Sequence, residues 1–71
     1  MSSASRRAPD KHHYTLLTEL HDRLEDLDVY RGYLAEALED RDDAWKAVWQ
    51  RMIEDAERDV EFMRAQLERR S

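Results

Sequence analysis

Between Tyr14 and Arg70 the apolar residues recur every three or four positions, and only the polar run Glu39-Asp40-Arg41-Asp42-Asp43 interrupts them. A helix turns once in 3.6 residues, so this spacing lines one helical face with apolar side chains, whereas strands would alternate. The chain is therefore expected to be all-α. The first stripe reads Leu17, Leu20, Leu24, Leu27, Arg31, Leu34, Leu38, flanked by Leu16, Tyr30 and Ala37. The second reads Trp49, Ile53, Ala56, Val60, Met63, Leu67, broadened at its start by Trp45, Val48 and Met52. Both stripes are wider than a strict heptad seam, which suits a bundle better than a two-stranded coiled coil.

The heptad slips by one residue between Leu38 and Ile53, and the slip contains the acidic run. An antiparallel fold pairs Leu17 with Leu67, Leu20 with Met63, Leu24 with Val60, Leu27 with Ala56 and Leu34 with Trp49. These pairs share one midpoint, near Arg41 and Asp42. Hydrophobic phase and turn composition thus agree on a two-helix hairpin over residues 10–71: a helix over about 11–39, a turn over about 40–43 and a helix over about 44–69. Asp40 or Asp42 is the expected N-cap of the second helix, and Asp42 and Asp43 suit its positive end. With no Gly or Pro in the turn, the first helix lacks an ordinary C-cap. One continuous helix with an altered supercoil is a competing topology. A break at Gly32, with Tyr33 packing back on Leu27, is another, but no capping residue follows it. Gly32 otherwise marks a close helix contact or a weak point of about 1 kcal/mol relative to alanine. Residues 1–9 are polar and end in the only proline, so they are expected to form a disordered tail. Asp10 or Thr15 is then the N-cap of the first helix.

Seventy-one residues make one small domain, and 41% of them are charged. Below about 70–80 residues a single core rarely supplies more than about 3–5 kcal/mol without a staple. Cysteine is absent, which removes disulfides, Cys-based metal sites and thiol nucleophiles. Oligomerisation is the staple that remains, and the expected assembly is a homodimer forming a four-helix bundle. A net charge of −5 and a pI near 5.1 disfavour nonspecific binding to nucleic acid or membrane. No apolar run is long enough for a signal peptide or a membrane span. The expected location is the cytoplasm, or a virion if the gene is phage-borne. Ten arginines against two lysines, one isoleucine and no asparagine match the bias of a GC-rich genome, pointing to such a bacterium or its phage.

No residue set identifies a reaction. His12 and His13 adjoin the tail and His21 lies on the first helix, without the converging spacing a zinc site needs. The di-metal signature Glu-x-x-His is absent. Carboxylates are numerous, yet most have a cation three or four residues away, as in Glu19 with Arg23, Glu54 with Arg58 and Asp42 with Lys46. Such pairs add about 0.2–0.5 kcal/mol each to a helix and read as a solvated face. No catalytic, cofactor or metal residue is expected, and no enzyme.

Partner surfaces are better represented. Arg31 occupies a core heptad position opposite Ile53. Its stem covers apolar surface while the guanidinium reaches water, or it contacts Asp28 or Asp55 and sets register or specificity. Trp45 and Trp49 share a face beside the turn. Trp49 is expected to be core, opposite Leu34, and Trp45 to be the partner contact, opposite Leu38 where cover is thin. Val29, Tyr33 and Phe62 fall outside the stripe and belong to an oligomer face or a docking patch. A hairpin also gathers Arg6, Arg7, Lys11, Arg69 and Arg70 at its open end, as candidate phosphate contacts. Glu36, Glu39, Asp40, Asp42 and Asp43 gather at its turn.

The expected function is therefore a non-catalytic interaction, assembly or regulatory protein acting on a protein partner not identified by sequence. One alternative is a small nucleic-acid-binding regulator using the arginine-bearing end. The other is an acidic inhibitor or antitoxin-like protein covering a basic surface. The architecture resembles the small dimeric helical hairpins of the plasmid RNA-binding repressor-of-primer type, in shape and not in motif.

Overall fold

A computed structural model describes the backbone of residues 2–70 and the side chains of residues 11–69. Helix α1 spans Ser2–Glu39 and helix α2 spans Asp43–Arg70. They pack against each other as an antiparallel hairpin: Arg23 reaches Asp59 near the middle, and Tyr33 reaches Trp49 nearer the turn. The continuous helix and the break at Gly32 are both excluded. α1 runs through residues 2–9, which were expected as a tail, and on through Asp10, so Asp10 does not begin the helix. Thr15 is not a cap. Its hydroxyl donates to the Lys11 carbonyl at 2.9 Å, and Thr18 donates to the Tyr14 carbonyl at 3.2 Å. Both hydroxyls are thus satisfied inside a helix that is already running.

The turn occupies residues 40–42, and it corrects one expectation. α1 does have an ordinary C-cap, built without glycine. The Arg41 N–H donates to the Leu38 carbonyl at 3.2 Å, and the Asp42 N–H donates to the Ala37 carbonyl at 3.0 Å. Arg41 sits in the left-handed region with φ 56°. This is the Schellman arrangement, with arginine where glycine is usual. Asp42 then caps α2: its Oδ1 accepts the Trp45 N–H at 3.2 Å, and its carbonyl accepts the Lys46 N–H at 2.9 Å. One residue thus closes the first helix and opens the second, so the reversal needs only three residues.

The interface is narrow. Leu27 is 4% exposed, and it forms the core with Ala56 and Val60, backed by Leu20, Tyr30 and Ile53. Ala37 is buried nearer the turn. No other described side chain is buried. Leu24, expected to be covered by Val60, is 38% exposed, and Leu17 and Leu38 are exposed as well. The physical reason is geometric. Leu17, Leu24 and Leu38 lie on one flank of the stripe, and a single neighbouring helix covers only its centre. The radius of gyration is 17.1 Å, against about 11 Å for a compact domain of this length, so the rod encloses no second layer. Nothing lies within 4 Å of a β-carbon built on Gly32, so no close helix contact within the hairpin explains that glycine.

Candidate functional site

Four rings converge beside the turn. α1 supplies Tyr30 and Tyr33, one turn apart, and α2 supplies Trp45 and Trp49, also one turn apart. Trp49 lies at the centre. Its ring stacks on Tyr30 with centroids 5.9 Å apart and on Trp45 at 6.0 Å, and it meets Tyr33 at 4.7 Å with a 43° tilt. Trp49 was expected against Leu34. The tyrosines also reach Trp49, because their length carries the rings across the seam from its edge. Trp45 stays 53% exposed. Its contact with Trp49 therefore covers only part of the side chain.

Three of the rings, Tyr33, Trp45 and Trp49, line a recess of about 140 Å³ together with Glu36, Ala37, Asp40 and Asp42. Such a recess is smaller than the ~300–1,000 Å³ of small-molecule sites, so it accommodates a side-chain head group. Within residues 36–46 there are five carboxylates, Glu36, Glu39, Asp40, Asp42 and Asp43, against Arg41 and Lys46. Among the described residues no ion pair involves any of the five.

Further along the hairpin the charges are paired instead. Arg23 Nε lies 3.6 Å from Asp59 Oδ2, and Arg31 Nη2 donates to Glu57 Oε2 at 3.2 Å. Asp55 Oδ1 accepts from Arg58 Nη1 at 3.3 Å, and its Oδ2 lies 3.4 Å from Arg51 Nε. Arg23 and Arg58 were expected to pair with Glu19 and Glu54; spacing along one helix does not register a carboxylate on the facing helix or an equally close third neighbour. Arg31 is an exposed side chain in the hairpin, with Asp28 at 4.0 Å, and Asp55 is engaged by its own helix. With Leu24, Leu27 and Val60, Arg31 lines a shallow groove on the flank opposite Tyr33, since two residues turn a helix by about 200°.

The other expected contacts disperse. Val29 is exposed, and Phe62, at 65%, is more exposed still; neither joins the ring cluster that takes in Tyr33. Lys11 and Arg69 are exposed, while Arg6, Arg7 and Arg70 lie outside the described side chains. His21, Asp22 and Glu25 bring ligand atoms within 4.8 Å of one another, but all three are exposed and come from one helix. Among the described residues no helix is long and apolar enough to cross a membrane. Comparison with protein-family models, with curated proteins and with solved structures found no match to this chain.

Proposed function

We propose that this chain is a non-catalytic interaction protein that acts as a homodimer, two hairpins meeting in a four-helix bundle. The observation that carries this reading is the unfinished core. α1 places Leu17, Leu24, Arg31 and Leu38 seven residues apart, and α2 places Lys46, Ile53, Val60 and Leu67 at the same interval. On α2 Val60 is buried and Ile53 packs on the core, so the open part of the flank is the α1 row, whose leucines Leu17, Leu24 and Leu38 remain exposed. A row repeating every seven residues is what a partner helix packs against. Arg31 and Lys46 interrupt the rows, so they oppose sliding and set register.

Sedimentation equilibrium tests the reading. The expected species has twice the 8.6 kDa chain mass, with a melting temperature that rises with concentration. A monomer at high micromolar concentration refutes the dimer. The function then lies in whatever partner covers the flank, which a pull-down from the native host identifies.

A further inference from the structure

We infer that the recess at the turn, between Tyr33, Trp45 and Trp49, is a docking site for an arginine side chain on a basic segment of a partner protein. The inference rests on the interaction-protein reading and is independent of the dimer, because the recess lies on the flank opposite Arg31.

Three observations converge. The first is the lining. Tyr33, Trp45 and Trp49 border the recess, and Trp45 keeps about half of its surface exposed beside it. Tryptophan is the strongest of the aromatic cation acceptors. The second is the rim. Glu36, Asp40 and Asp42 surround the rings, so a cation on the ring face also meets carboxylates. The third is the missing internal partner. Arg23, Arg31, Arg51 and Arg58 are all paired away from the turn, and none neutralises the turn carboxylates. Asp42 Oδ1 caps α2 by accepting the Trp45 N–H. Asp40 and Glu36 therefore carry most of the recognition.

The helix termini do not reverse this sign. The positive end of α2 and the negative end of α1 meet at the turn, and their partial charges offset each other. The carboxylates decide the local potential. Arginine fits better than lysine because its planar guanidinium stacks on a ring while offering paired N–H donors to a carboxylate. A recess of about 140 Å³ has room for that head group and not for a drug-sized ligand.

The test is a titration of the full chain with a short blocked peptide of alternating arginine and glycine, with a lysine–glycine peptide as comparator. Tryptophan emission and the indole N–H signals of Trp45 and Trp49 report binding. The expected result is saturable binding that moves the Trp45 signal, favours arginine over lysine and weakens with salt. Trp45→Leu keeps an apolar side chain at an exposed position and should weaken binding about tenfold, the loss of one desolvated cation–ring contact. Glu36→Gln with Asp40→Asn should weaken it comparably and flatten the salt dependence. Equal binding of the two peptides, with Trp45→Leu unchanged, overturns the recess in favour of diffuse attraction to an acidic end; absence of saturable binding overturns it outright. Sedimentation of the same samples separates the two proposals. A monomer that binds the arginine peptide refutes only the dimer, and a dimer that does not bind refutes only the recess.

Discussion

Around Leu27 the hairpin closes with small aliphatic side chains, whereas from Tyr30 to the turn it closes with rings. Leu27 meets Ala56 and Val60, and the short alanine lets the helices approach until all three are sealed. Near the turn, Trp49 collects Tyr30, Tyr33 and Trp45, and the rings overrun the seam, so Tyr33 and Trp45 keep exposed surface. The charges divide the same way. Cross-helix pairs sit beside the aliphatic segment, at Arg23 with Asp59 and Arg31 with Glu57. The carboxylates at the turn have no such pair among the described residues. One region spends its side chains on the hairpin itself; the other keeps rings and charge available to something else.

The largest expected effect is at Trp49, where the two roles meet. Trp49→Ala removes the ring that three others contact, and urea unfolding should show a loss of about 3 kcal/mol, the low end for tryptophan truncation because the site is only partly buried. A loss below about 1 kcal/mol would mean the rings pack for a partner and contribute little to the hairpin.

Next in size is the contrast between two leucines three residues apart. Leu27→Ala should cost about 2–3 kcal/mol at every protein concentration, since its contacts are within one chain. Leu24→Ala removes a side chain that is exposed in the hairpin and lies on the proposed dimer flank. Its effect should be under about 0.5 kcal/mol in dilute monomer, the ordinary size of a surface change, and should grow with concentration. Equal, concentration-independent losses at both positions would place Leu24 in the core of the single chain.

Leu24 also shows where sequence reading stops. The stripe identifies which residues face a neighbour, because helical periodicity is local. It does not count the neighbours, and one helix covers less of the stripe than three would. The turn was legible to a residue, since composition and heptad slip agree on it and Asp42 is a strong N-cap type. Its closure by Arg41 was not, because left-handed arginine is disfavoured and only the geometry of the reversal selects it. The exposed position of Trp45 beside the turn was legible from spacing. The recruitment of Tyr33 was not: Tyr33, Val29 and Phe62 look equivalent outside the stripe, and only the reach of the ring toward Trp49 separates the tyrosine from the others. The partners of Arg23 and Arg58 escaped for a related reason, since counting along one helix leaves out the facing one.

Two changes test whether either segment carries removable strain. Gly32→Ala adds a methyl where nothing lies within 4 Å, and should raise stability by about 1 kcal/mol. Arg41→Gly relieves a left-handed non-glycine residue at the turn and should gain about 0.5–1 kcal/mol, the glycine's greater unfolded-state freedom offsetting part of the relief. Thermal melts measure both. A destabilised Gly32→Ala would reveal a contact made only in an assembly. A destabilised Arg41→Gly would show that the arginine side chain itself supports the acidic turn.

The smallest expected effect concerns Arg31 and Glu57, and it tests the division of charge most directly. In the single hairpin both side chains are about half exposed, and the 3.2 Å contact is screened by water. A double-mutant cycle with Arg31→Met and Glu57→Gln should therefore give a coupling of about 0.2–1 kcal/mol in dilute protein, falling with added salt. Arg31 also stands in the row with Leu17, Leu24 and Leu38, so dimerisation would take the pair out of water. Desolvation then strengthens the attraction and raises the penalty for leaving either charge unpaired. The coupling should exceed its dilute value and lose its salt dependence as the dimer forms. A coupling that stays small and salt-sensitive at every concentration would leave Arg31 on an open surface and move the second copy away from the flank it lines.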